Sequence, residues 1–166
     1  MEIKVTPANP EQLKEKPADD SELGFGDIYT DHMFLLDYEI GKGWYAPRIV
    51  PFGDLKLSPA AMAIHYGQEI FEGLKAYYGK DGGIYLFRPG ENFKRMNRTA
   101  VRMCMPEVDI DLVMEGLVKL ILLEREWIPK GEGTTLYIRP SMLATEPHLG
   151  VRPANAYLFF IILSPV

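Results

Sequence analysis

Ala156-Tyr157-Leu158-Phe159-Phe160-Ile161-Ile162-Leu163 is the stretch that decides the fold. The run is far short of the ~20 apolar residues that a membrane helix needs. It is rich in aromatic and β-branched residues, so it reads as a strand buried on both faces. Thr134 to Ala144 reads as its neighbour, joined to Asn155–Ser164 by a loop through Pro147, Gly150 and Pro153. Upstream, Tyr29 to Tyr38, the turn Gly41-Lys42-Gly43 and the arm Trp44 to Phe52 form a hairpin. Pro47 and Pro51 make the second arm an edge or irregular strand. Leu74–Tyr78 and Ile84–Phe87 flank a glycine-rich turn at 79–83, a second hairpin.

Helices fall between these strands. Ser58 as a cap and Pro59 at the first helical position predict a helix from Ala60 to Glu72, stopped by Gly73. After Pro89, the spacing of Phe93, Met96, Ala100 and Met103 predicts a second helix. Asp109 caps a third, with Ile110, Val113, Met114, Leu117 and Ile121 as its apolar stripe, ending near Trp127. The pattern is that of an α+β fold, an antiparallel or mixed sheet with helices packed on it. Residues 1–22, charged and broken by Pro7, Pro10 and Pro17, read as a flexible N-terminal arm, with order starting near Leu23.

The 166 residues suffice for one domain with its own core. A single cysteine, Cys104, excludes an intramolecular disulfide or a multi-cysteine zinc site and fits a reducing cytoplasm. The net charge of −5 shows no basic excess for nucleic acid. His32, His65 and His148 are too scattered in sequence for a metal site. No hydrolase elbow, dinucleotide fingerprint or phosphate loop occurs. Cys104, beside Met103 and Met105, reads as a buried, inert thiol.

Two arginine settings carry more information. Arg95, Arg98 and Arg102 form one helical stripe, either a solvated basic face or an anion site. The spacing does not choose among them. In Tyr137-Ile138-Arg139-Pro140, strand alternation puts Tyr137 and Arg139 on one face. A cation in an apolar strand needs a partner, either a structural carboxylate or the carboxylate of a substrate. Glu69 and Glu72 read as an exposed helix face, and the aromatics around Tyr66 and Phe71 as core.

Taken in order, five groups of strings resemble one family. They are Phe25-Gly with Tyr29-Thr-Asp-His-Met, and His65-Tyr with Phe71-Glu-Gly-Leu-Lys-Ala-Tyr. Leu86-Phe-Arg-Pro with Asn92 and Arg95-Met follows, then Leu136-Tyr-Ile-Arg-Pro, then Glu146-Pro-His-Leu-Gly-Val. From about Gly24 to Val166 the chain resembles the branched-chain amino-acid aminotransferases, pyridoxal-phosphate enzymes of fold type IV.

The resemblance implies an α+β small N-terminal domain over 23–166, ending at the interdomain linker, with the C-terminal cofactor domain absent. It implies transamination of leucine, isoleucine and valine with 2-oxoglutarate and glutamate, a pyridoxal 5'-phosphate cofactor, a homodimer and a cytoplasmic location. Arg95 is implied as the cofactor-binding residue, holding the phosphate. Phe25, Tyr66, Phe71 and Tyr137 are implied as the apolar substrate wall, and Arg139 as the partner of glutamate's second carboxylate. Leu149 and Val151 are implied to reach the partner subunit's site, with Tyr66 also acting across that interface. No catalytic residue is expected in this chain, since none of its ten lysines, from Lys4 to Lys130, has the expected setting. The lysine that carries the cofactor is expected downstream of Val166, so the full-length protein is the expected enzyme and the chain alone is expected to be inactive. Two other readings are a non-catalytic dimerising module and a D-amino-acid transaminase or aminodeoxychorismate lyase relative.

Overall fold

The computed structural model describes residues 1–20 and 23–166. The described residues form an eight-stranded sheet with helices on one face. The strands are β1 (Lys4–Val5), β2 (His32–Glu39), β3 (Gly43–Pro51), β4 (Glu69–Phe71), β5 (Leu74–Tyr78), β6 (Ile84–Leu86), β7 (Leu136–Ala144) and β8 (Ala156–Pro165). The helices are α1 (Met62–Tyr66), α2 (Pro89–Arg102) and α3 (Ile110–Leu123). The strand order is β1-β3-β2-β8-β7-β5-β6, with β4 also on β7. All pairings are antiparallel except β1 with β3.

The opening stretch becomes β8, central in the sheet between β2 and β7. Phe159 and Ile161 of β8 join Phe34, Ile138 and Leu163 under Phe93 of α2 and Leu117 and Leu120 of α3. Each such side chain contributes about 1.5–3 kcal/mol by leaving water. Asp109 caps α3 as expected, its carboxylate accepting from the Asp111 and Leu112 backbone amides. The apolar face of α2 stops at Ala100; Met103 lies beyond the helix and is exposed. Among the described residues, no helix is long and apolar enough to cross a membrane.

Two expectations change. The helix expected over 60–72 is confined to Met62–Tyr66, because Gly67 takes a left-handed φ of 58° and ends it. Glu69–Phe71 then pairs with β7 as a strand, which buries Ile70 in the core.

The arm also differs from a loosely held segment. Ile3 is buried, Lys4 and Val5 pair with β3, and the Thr6 amide donates to Ile49 O at 2.9 Å. Lys14 Nζ donates to Tyr29 O (3.1 Å) and Thr30 O (2.9 Å). These bonds tie the arm down as far as the described residues run; its end, Ser21 and Glu22, lies outside them. Because β1 covers part of β3, that strand is not a bare edge. Ala46 and Pro47 stand at a register break against β2, where a missing amide is tolerated.

The break between β4 and β5 shapes the site. Phe71 pairs with Ser141 and Leu74 with Ile138, both on the same edge of β7. Between them the chain faces Pro140, which has no amide to donate. Among the described residues, a bond from the Glu72 amide to Pro140 O at 2.9 Å spans the gap. The interruption frees Glu72 and Gly73 from the ladder.

Candidate active site

The site lies on the sheet face away from α2 and α3. Alternation along β7 sends Ile138 into the core and leaves Tyr137 and Arg139 on the opposite face. Phe71, directly opposite Ser141, shares that face, and its ring lies 4.3 Å from the Arg139 guanidinium. Arg139 also lies over the Tyr137 ring at 5.3 Å, and its Nη2 donates to Tyr137 Oη at 2.9 Å. Phe25, brought in by the segment before β2, meets Tyr137 edge-on at 5.0 Å. A hollow of about 240 Å³ opens here, lined by Phe25, Tyr29, Tyr137, Arg139, Ile162 and Ser164.

No carboxylate pairs with Arg139 among the described residues. Of the two sequence readings, the structural ion pair is therefore the one the described residues do not supply. The cation is instead sandwiched by aromatic faces, which offset only part of its desolvation.

Beside this cluster stands a second constellation that sequence reasoning placed wrongly. Glu72 is not on an exposed helix face; it is only 5% exposed. Its carboxylate receives Arg95 Nε at 2.6 Å and Nη2 at 2.7 Å. Asn92 Nδ2 donates to it at 3.3 Å and to Gly73 O at 3.2 Å. Burial raises the pKa of this carboxyl, but the bonds from Arg95 and Asn92 and the Arg95 charge outweigh burial and hold it below its usual range. The sequence signal was the carboxylate beside a glycine, Glu72-Gly73, visible only once the helix there is replaced by a broken strand.

The fork is side-on, so Nη1 and one Nη2 proton of Arg95 stay free. The side chain is 59% exposed. A buried carboxylate thus aims an exposed guanidinium edge outward, a setting that fits a phosphate group. Gly73 links the two constellations: a Cβ there would fall inside the Tyr137 hydroxyl.

The other expected site residues fall elsewhere within this chain. Tyr66 and Val151 line a separate hollow of about 250 Å³ with Met103 and Cys104. Leu149 and Val151 are 70% and 87% exposed on the loop before β8. Cys104 is exposed rather than buried, because α2 ends at Arg102 and Cys104 takes a left-handed φ of 54°. His32 bonds Glu124 and the Ala8 amide, and His65 Nε2 donates to Pro59 O at 2.8 Å, so the two are held apart.

This sheet, with its helices on one face and an arginine-aromatic cluster on the other, has the fold of the N-terminal domain of the fold type IV aminotransferases. The Escherichia coli branched-chain amino acid aminotransferase superposes with a TM-score of 0.59 at 26% identity, over 82% of this chain and 40% of that one. Within the class, the chain is a homologue of the branched-chain amino-acid aminotransferases. It is 56% identical over 153 residues to branched-chain-amino-acid transaminase 1 of Bacillus subtilis (strain 168), covering 92% of this chain. A second solved branched-chain amino acid aminotransferase, complexed with N-(5'-phosphopyridoxyl)-L-glutamate, is 26% identical with a TM-score of 0.53, over 75% of this chain and 40% of that one. The chain spans about 43% of the length of the Bacillus relative. No protein-family profile matches the chain.

Proposed function

We propose that these residues form the small domain of an enzyme that transfers the amino group between branched-chain L-amino acids and 2-oxoglutarate, with pyridoxal 5'-phosphate as cofactor. The observation that carries this reading is Arg139: a cation without a carboxylate partner among the described residues, set in an apolar wall of Phe25, Phe71 and Tyr137. One hollow then offers an apolar surface to leucine, isoleucine or valine and a single charge to glutamate. The similarity to the branched-chain aminotransferases supports the same substrates.

When bound, the cofactor supplies the electron sink that makes the substrate α-carbon acidic. Arg95 would hold its phosphate by the guanidinium edge that Glu72 leaves free. Phe25, Phe71 and Tyr137 exclude water around the aliphatic side chain, whose burial contributes roughly 1.5–3 kcal/mol. Arg139 meets the second carboxylate of the acidic substrate. Because Tyr137 Oη accepts from Arg139, its own proton is free to donate to a substrate oxygen.

The relatives are more than twice as long, and we read the lysine that carries the cofactor as lying in a further domain. We also infer a cytoplasmic homodimer in which Leu149, Val151 and Tyr66 complete the partner's site. Their exposure supports that role, since large apolar side chains left in water mark contact surfaces.

The test is the complete reading frame, purified with pyridoxal phosphate and assayed with leucine and 2-oxoglutarate. Formation of glutamate and 2-oxoisocaproate is the expected result. No turnover, with the cofactor bound, overturns the reading.

A further inference from the structure

We propose that Ser164 is a specificity-determining residue, whose hydroxyl joins Arg139 in receiving the side-chain carboxylate of the acidic substrate; this rests on the transamination reading above.

Three buried side-chain polar atoms lack a hydrogen-bond partner among the described residues: Thr135 Oγ1, Arg139 Nε and Ser164 Oγ. Orphaned buried groups are costly and rare, so three together ask for a cause. All three share one face of the β7–β8 pair. Tyr137 pairs with Ser164 and Arg139 with Ile162, and directly opposed residues point the same way. Thr135 and Val166 continue the ladder, exchanging backbone bonds of 2.8 and 2.9 Å, so alternation puts Thr135 on the Tyr137 face as well.

Only Arg139 and Ser164 of the three line the 240 Å³ hollow. Ser164 is 4% exposed, so its hydroxyl has no bulk water to fall back on. The chemistry of the two groups selects the ligand. Arg139 Nε–H only donates, and a serine hydroxyl donates as readily as it accepts. One group with several oxygen lone pairs satisfies both, and the unpaired charge on Arg139 asks for an anion rather than water. A carboxylate at the end of the substrate side chain fits. A branched aliphatic side chain offers Ser164 nothing, so the hydroxyl separates the two substrate classes.

The experiment uses the complete reading frame, as wild type, Ser164→Ala and Thr135→Val. The KM for 2-oxoglutarate is measured against the KM for 2-oxoisocaproate, with kcat for each. Ser164→Ala is expected to raise the KM for 2-oxoglutarate by about tenfold, the effect of one hydrogen bond to a charged group, and to leave 2-oxoisocaproate within about twofold. Thr135→Val, outside the hollow, is expected to leave that ratio unchanged. Glutarate, a dicarboxylate without the reacting group, is expected to raise the melting temperature of the wild type more than that of Ser164→Ala. An unchanged ratio and an equal glutarate shift overturn the role of Ser164. Inactivity of the wild type on either substrate overturns the transamination reading instead. If Ser164→Ala does not fold, Ser164→Cys, of similar shape but a weak donor, is read by the same ratio.

Discussion

Arg95 and Glu72 meet through the side edge of the guanidinium, at 2.6 and 2.7 Å, so the buried carboxylate fixes the direction in which the arginine's free edge points. Two roles are separable here, holding the fold and holding a phosphate. In the full-length protein, Arg95→Ala is expected to weaken pyridoxal phosphate binding by roughly 10- to 150-fold, the loss of a charge-assisted hydrogen bond or two. It also leaves Glu72 buried and unpaired, so the melting temperature falls. Adding Glu72→Gln removes the orphaned charge and is expected to recover melting temperature but not cofactor affinity. Fluorescence titration of the cofactor-free protein and a melting curve check the two halves separately. Recovery of both would sink the division of labour.

Gly73 faces Tyr137 so closely that a methyl group and the tyrosine hydroxyl compete for one space. Gly73→Ala is expected to push the Tyr137 ring aside and break its bond from Arg139. Both substrates touch that wall, so the KM for leucine and for glutamate rise together, by about 5- to 150-fold, as expected of overpacking that costs about 1–3 kcal/mol. Steady-state kinetics with each substrate decide it; a rise for one substrate alone contradicts the shared wall.

Acid acts on the same constellation. Glu72 has a folded pKa below its usual 4.5, because its bonds from Arg95 and Asn92 outweigh its burial. A depressed carboxyl contributes stability above the unfolded pKa and loses it as pH falls through the folded value. Unfolding free energy measured between about pH 3 and pH 6 is therefore expected to drop more steeply for the wild type than for Glu72→Gln, the two curves converging at the acid end. Parallel curves would mean that Glu72 is not held ionised by Arg95.

Two of these predictions depend on Glu72, which the sequence hid. The strands and the two long helices were legible because apolar periodicity and caps such as Asp109 are local signals. Tyr137 and Arg139 shared a face by alternation alone, and the structure bears that out. The helix expected through Glu72 failed for a non-local reason. Gly67 sits in a left-handed turn, and residues 69–71 are claimed by β7, some seventy positions away. Misplacing the helix put Glu72 in solvent and hid its contact with Arg95, 23 residues on. The arm failed likewise. Its prolines and charges read as a flexible arm, while its anchors, buried Ile3 and the Lys14 ammonium, are single residues that composition averages away.

That arm carries the last prediction. His32 Nε2 accepts from the Ala8 amide at 2.8 Å, so the ring proton must sit on Nδ1, where it is donated to Glu124. The imidazole is neutral in this tautomer. Glu124 also receives the Asp31 amide at 3.0 Å, and Asp31 in turn accepts from the Lys14 amide (2.8 Å) and from Trp127 Nε1 (2.9 Å). Both Glu124 oxygens act as acceptors, so Glu124→Gln turns one acceptor into a donor facing another donor. The expected cost is about 1–3 kcal/mol, read by chemical denaturation. The loss is expected first at the arm: amide exchange at Ala8 and Lys14 quickens while that of β8 changes no more than the global stability does. Lys14 also holds the carbonyls of Tyr29 and Thr30, and Tyr29 lines the hollow. Loosening the arm is therefore expected to raise the KM for substrate before it lowers kcat. Exchange that quickens equally in β8 and the arm would show that the network supports the whole sheet rather than the strap across its site.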